Sequence, residues 1–409
     1  MIQAQNLPRF AVISDTHFEN NIGEGAAVKV PRALKNLLWK QPQPDAIFVV
    51  GDITHRGRLE QYAQLLSVFG DSTNVPKGTA VYFMMGFQHD RSGSIHQENY
   101  LLGTHQPLHQ YIDIKGYPFI TISEGGRHPS EYNESVKKWL AEKLEDAAKN
   151  YPDKPIFVFT HIPPLSTCYG SAPGAWGTDM FSEILNKYPQ IVIFSGHSHY
   201  PIGDPRSIHQ GIFTAVNTGS TSDSNVAKGI LVKGEEPPLN DRVTEGLLVD
   251  VLSNGNIEIE RWDTYRNEEI LPRWLVQAPH DGTKFTYTDN RNGLPAPVFA
   301  PGATPKVTLE KDSCLVSFAQ ATDNEVVQHY AIEITDGTEV IASNKVFSLF
   351  YLNSQMPGIL SAKFGALPAG KKLRARIVAL DSYGNPSLPI QSKAFKVKPA
   401  CKSCAKEHD

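Results

Sequence analysis

FAVISDTH, residues 10–17, is an apolar run of strand length that ends on an aspartate and, two positions later, a histidine. A short apolar run bounded by polar residues reads as a buried strand. The pattern repeats along the chain. AIFVV (46–50) runs into Gly51 and Asp52, and VYFMM (81–85) into Gly86, Phe87, Gln88, His89 and Asp90. IFVFT (156–160) runs into His161, and IVIFS (191–195) into Gly196, His197, Ser198 and His199. Helical stretches lie between several of these runs, near residues 30–40 and 131–150, and in the second Val136, Leu140 and Leu144 recur every four residues. That is the period of a half-buried helix. Strands alternating with helices predict a layered α/β domain with a parallel or mixed sheet. In such folds ligand sites gather at the carboxyl ends of the strands, where this chain concentrates its carboxylates and imidazoles.

Carboxylate and imidazole together are the ligand set of divalent transition metals. Asp15 and His17 are spaced to grip one ion, and His197 and His199 are spaced alike. Asp52 follows a glycine turn, where a short carboxylate can bridge. Each piece alone is weak evidence, since a single His161 is more often a structural histidine. Five in series at strand exits point to a metal site. Eleven of the 14 histidines stand at or before residue 209, which places the chemistry in the first half.

This ordered set resembles the calcineurin-like metallophosphoesterase superfamily, whose pattern runs D-x-H, G-D, G-N-H-D or G-N-H-E, a lone His, and G-H-x-H. The resemblance covers about residues 8–265. It implies a four-layer αββα sandwich with two transition-metal ions (Mn, Fe or Zn) at one edge. By implication Asp15, His17, Asp52 and His199 hold the first ion. Asp52, as a bridge, then holds the second with His161 and His197. GFQHD departs from the family turn by one extra residue, Phe87, and by Gln88 where an asparagine ligand is expected. Gln88 is read as that ligand, with water as the substitute if it is not. The implied chemistry is hydrolysis of a phosphomonoester or phosphodiester by a bridging hydroxide, with His89 protonating the leaving alkoxide. Asp90 either orients that imidazole or sits in the loop. The purple acid phosphatases place a tyrosine ligand three residues after the bridging aspartate, whereas this chain has His55 there. His55 and Arg56 are read as a solvated loop in preference to a phosphate-facing pair, and His96, His105 and His109 as surface residues in preference to a lining of the substrate cleft.

Hairpin strands are expected in FTAVNTGS (213–220) and in GLLVDVLSNGNIEIERWDT (246–264), with the turn at Asn254-Gly255. Residues 266–305 are rich in Pro, Gly and Asn and read as a linker or packed arm. From 306 to 398 short alternating strands predict an all-β sandwich, and RARIVALDSYGNPSLP resembles the last strands of fibronectin type III domains. The expected division is therefore 1–265 catalytic, 266–305 linker, 306–398 sandwich and 399–409 tail. Cys401 and Cys404 in that tail are read as incidental thiols on a solvated end.

Composition narrows the class. A net charge of −4 with scattered lysines and arginines leaves no nucleic-acid footprint. No run of 18 apolar residues suggests a membrane span. The first residues show no secretory signal, which makes the cytoplasm the default expectation, with secretion as the alternative if a signal has been removed, since fibronectin-like domains occur in secreted enzymes too. A small phosphoester is the expected partner. The competing reading is a catalytically weak metal-binding module whose sandwich serves in partner or ligand binding.

Overall fold

The computed structural model describes residues 7–20, 25–86, 90, 95–123, 134–226, 236–293, 295–310 and 313–397. The chain divides into two compact units, the first ending at Arg291 and the second running from Asn292.

In the first unit the five expected strands form within one residue of their predicted ends. They are β1 (Arg9–Ile13), β2 (Ala46–Val50), β3 (Ala80–Met84), β6 (Ile156–Thr160) and β7 (Ile191–Ser195). β1 pairs in parallel with β2 and β2 with β3. The sheet is completed on its other side by β10 (Glu245–Val251), β11 (Ile257–Asp263) and β12 (Glu268–Val276), giving the order β12-β11-β10-β1-β2-β3. The Asn254-Gly255 hairpin forms as expected, with Gly255 at φ +83°. β12 lies within the stretch read as a linker, where its ladder to β11 shows a register shift near Ile259. The second sheet runs β4-β5-β6-β7-β9-β8, adding β4 (His109–Ile114), β5 (Tyr117–Ile122), β8 (Ile208–Gln210) and β9 (Thr214–Asn217).

The two sheets pack face to face through aromatic rings. Phe10, Phe48, Phe119, Phe157, Phe159 and Phe194 are all fully buried in the cluster between them. Phe10 stands edge-on to five of the other rings at centroid distances of 5.0 to 6.1 Å, and Phe48 stacks on Phe159 at 4.0 Å. Outside the first sheet lie α1 (Ala26–Leu38), α2 (Leu59–Phe69) and α3 (His96–Thr104), which contribute Val30, Leu34, Leu37, Tyr62, Leu65 and Tyr100 to its outer core. Outside the second lies α4 (Glu134–Asn150), whose Val136, Leu140 and Leu144 are buried as their period predicts, with the short α5 (Ser182–Leu185) beside it. The layers are therefore α, β, β, α, the expected fold class.

The second unit is all-β. β13 (Lys306–Glu310), β14 (Ser313–Ala319) and β17 (Ile359–Phe364) form one antiparallel sheet. β15 (Val327–Thr335), β16 (Val340–Phe347), β18 (Arg374–Asp381) and β19 (Ile390–Gln391) form the other, in the order β16-β15-β18-β19. Alternate residues of β18 are buried, and Cys314, Val316, Tyr330, Ile332, Ile377 and Ala379 fill the core between the sheets. This is the predicted sandwich. Cys401 and Cys404 lie outside the described residues.

Because Phe10 touches rings from both sheets, truncating it leaves a cavity that neither sheet can close alone. Phe10→Ala should destabilise the first unit by about 3–5 kcal/mol, read as a fall in the urea midpoint of its unfolding transition. A shift too small to detect would mean the sheets are held together elsewhere.

Candidate metal centre

The carboxyl ends of β1 and β2 in one sheet and of β6 and β7 in the other meet at one edge of the sandwich. Backbone bonds splice the exits together. Asp15 N–H donates to Gly51 O at 3.1 Å, His17 N–H to Asp52 O at 3.0 Å, and Gly196 N–H to His161 O at 3.0 Å. Six predicted residues converge there as two trios, Asp15–His17–His199 and Asp52–His161–His197, with the candidate ligand atoms of each trio within 4.8 Å of one another.

The first trio is tight. His17 Nε2 and His199 Nε2 are 3.2 Å apart, and Asp15 Oδ1 lies 3.2 Å from His199 Nε2 and 3.8 Å from His17 Nε2. In the second, His161 Nε2 is 3.2 Å from Asp52 Oδ2, and the His161 and His197 rings meet edge to face at 5.0 Å. The trios adjoin, since His161 Nε2 is also 3.8 Å from Asp15 Oδ1. Asp15 Oδ1 and His161 Nε2 are buried and have no hydrogen-bond partner among the described residues. Buried polar atoms are nearly always satisfied, so acceptor and imidazole atoms left facing the interior of each trio fit a cation held by that trio.

The backbone is shaped for this arrangement. Asp15, His17, Asp52, His197 and His199 have φ of 52°, 49°, 44°, 67° and 54°, in the left-handed region. Each such non-glycine residue costs roughly 1–3 kcal/mol and persists only where the surroundings enforce it. Two glycines make the room. A Cβ on Gly196 would sit 2.4 Å from Asp15 Oδ2, and one on Gly86 would sit 2.2 Å from Asp52 Oδ1.

Neighbouring groups orient the rings. His161 Nδ1 donates to Val50 O at 3.0 Å, which turns Nε2 inward. His199 Nδ1 donates to Asp223 Oδ1 at 3.0 Å, and Ser222 Oγ donates to the same oxygen at 2.7 Å. Asp223 was not foreseen. It lies in the run TGSTSDSN (218–225), whose small hydroxyl side chains at a strand exit were the available signal. That loop also ties β1 down, with Thr221 N–H and Oγ1 both donating to Ser14 O at 3.0 Å. Trp176 stands edge-on to the His197 ring at 5.2 Å.

Electrostatics follow the geometry. Burial alone would raise the Asp15 carboxyl, but His199, His161 and His17 outweigh it and hold it at about 2. Burial opposes charge on His161, yet Asp52 and Asp15 raise it to about 10. Burial and the neighbouring His161 push His197 down to about 4.

Gln88 and His89 lie outside the described residues. Asp90 is described, fully buried beneath the Asp52 loop. Burial and the charge of Asp52 push its carboxyl up to about 7, against the donors from Gly86 and Thr54. The histidines read as surface residues need correction. His96 is only 8% exposed at the start of α3, and His109 is half-buried against Trp139, so both are packed into the fold. Their flanking residues lack any long apolar run, which hid that burial. His105 is exposed at the carboxyl end of α3. In the loop read as solvated, Arg56 is exposed while its N–H donates to Gln61 Oε1 at 2.9 Å.

Residues 8–201 match the family model of the calcineurin-like phosphoesterases. A protein named "Probable cyclic nucleotide phosphodiesterase" from Rhodococcus erythropolis is 27% identical over 236 residues, covering 53% of this chain and 73% of its own. A glycerophosphodiester phosphodiesterase from Enterobacter lignolyticus is 28% identical over 212 residues, 46% of this chain and 70% of its own. Among solved structures, a purple acid phosphatase from yellow lupin seeds aligns with 66% of this chain and 54% of its own, at 12% identity and a TM-score of 0.48.

Two outcomes follow for metal binding. Asp223→Asn should weaken Mn²⁺ binding by about 10- to 100-fold, the usual effect of losing a group that orients a ligating histidine. Isothermal titration checks it, and unchanged affinity would remove Asp223 from the site. His161, raised to about 10 by Asp52 and Asp15, must be deprotonated to become a ligand. Mn²⁺ affinity should therefore rise with pH up to about that value, with proton release. Calorimetry in buffers of different ionisation enthalpy measures the release, and pH-independent binding would contradict the assignment.

Proposed function

We propose, from the membership of residues 8–201 in the calcineurin-like phosphoesterase family, that this hydrolase of phosphoester bonds cleaves small phosphodiesters at a dinuclear metal centre. Asp15, His17 and His199 would hold one ion, His161 and His197 the other, and Asp52 would bridge them. Gln88 would complete the second site. The observation that carries the reading is the pair of adjoining trios, whose buried Asp15 Oδ1 and His161 Nε2 face only carboxylate and imidazole atoms of the same cluster. The phosphodiester class is favoured over the monoester because the two relatives above are named as phosphodiesterases.

When bound, the ions supply Lewis acidity toward a phosphate oxygen and a nucleophilic water at neutral pH. The protein's part is positioning. Val50 O and Asp223 hold the His161 and His199 rings so that each Nε2 faces the centre. Asp15, fully buried, keeps its carboxylate charged through the imidazoles around it. The backbone N–H of His197 donates to Asp15 Oδ2 at 3.1 Å, so that Oδ1 would be the oxygen available to an ion. His89, beyond β3, would give its proton to the leaving alkoxide, a role typically worth about 10²–10⁴-fold in rate. Manganese, iron and zinc all suit this mixed oxygen and nitrogen set.

The test is hydrolysis of bis-p-nitrophenyl phosphate by protein loaded with Mn²⁺. Turnover is expected, and His197→Ala should abolish it. Failure to hydrolyse any member of a broad phosphoester panel, with two ions bound per chain, would sink the reading and bring the binding-module alternative forward.

A further inference from the structure

Asp90 follows directly on His89, a placement that invites the role of orienting that imidazole. The bonding of its carboxylate argues otherwise. Oδ1 accepts from Thr54 N–H at 2.6 Å and Thr54 Oγ1 at 2.8 Å, while Oδ2 accepts from Ile53 N–H at 2.9 Å and Gly86 N–H at 2.7 Å. A carboxylate offers about four acceptor sites, and these donors take all of them. Three are backbone N–H groups, which can only donate, so both oxygens must act as acceptors. Two of those groups belong to the residues immediately after Asp52, and the third belongs to Gly86 at the exit of β3.

We infer that Asp90 is a positioning residue for Asp52, and that it acts by clamping the exits of β2 and β3 together from below. Asp52 needs such a clamp. It sits at φ +44°, and Gly86 approaches it so closely that a Cβ there would meet the Asp52 backbone nitrogen at 2.1 Å. The carboxylate of Asp90 joins the two backbones at this crossing. Thr54 extends the clamp, since its Oγ1 also accepts from Gly57 N–H at 2.8 Å and so fixes the chain leading into α2. The inference rests on Asp52 being a metal ligand, as proposed above. It assigns Asp90 to the metal site and not to the proton donor.

Two variants test it, with metal affinity as the readout and circular dichroism as the check on folding. Asp90→Asn replaces an acceptor oxygen with a donor that faces an N–H group. Mn²⁺ affinity measured by calorimetry should fall by about 10-fold or more, the scale expected when a ligand loses its support. Thr54→Val removes one donor and keeps the backbone amides, and it should weaken Mn²⁺ binding by about 3- to 10-fold, by the same logic. If Asp90→Asn does not fold, the Thr54→Val result decides. Wild-type Mn²⁺ affinity in the folded variant, together with lost turnover on substrates with poor leaving groups only, would overturn the inference and return Asp90 to His89. Wild-type protein that binds two Mn²⁺ ions but hydrolyses nothing would count against the proposed reaction alone.

Discussion

Two buried carboxylates, Asp15 and Asp52, lie within 3.8 Å and 3.2 Å of the same imidazole nitrogen, His161 Nε2. Charges so close, out of reach of bulk solvent, need partners of opposite sign. Much else in the first unit follows from meeting that need. Burial opposes charge on His161 and His199, yet the carboxylates beside them raise both, so imidazole and carboxylate offset one another across the site.

The cost falls on the backbone. Four strand exits must each turn within a residue or two so that short side chains reach a common point. Five of the six converging residues take left-handed angles to do so. Such strain survives only on a stiff base. The base is the aromatic layer between the sheets, where Phe10 and its neighbours hold β1 and β2 opposite β6 and β7. A second set of braces works at the edge itself: the Asp223 loop from one side and the Asp90 clamp from below.

Much of this was legible in the chain before folding. Continuous apolar runs ending in acid or imidazole located β1, β2, β3, β6 and β7; in all but the partly buried β3, both faces are covered and no polar residue interrupts the run. The four-residue period located α4, and alternation located the β-sandwich. Other elements were not seen. β4 reads HQYIDI and is half-buried, so it lacks a continuous run, and α3 reads HQENYLLGT with its buried face made largely of polar residues. β12 was hidden by the Pro- and Gly-rich composition around it, although Trp274 and Val276 are buried against the sheet. His96 and His109 passed for surface residues, because burial of a polar side chain leaves no periodic trace.

The amino-acid sequence by itself determined which carboxylates and imidazoles stand at strand exits and in what order they occur, because residue type and strand-exit position are local properties. Only the tertiary structure decided which candidate ligands stand together, grouping Asp15 with His17 and His199 and Asp52 with His161 and His197. It alone revealed the supports. Asp223 meets His199 across 24 positions, and Asp90 meets Thr54 across 36. A hydrogen bond between residues so far apart has no spacing rule to announce it. Its existence depends on where two sheets and their loops finally pack.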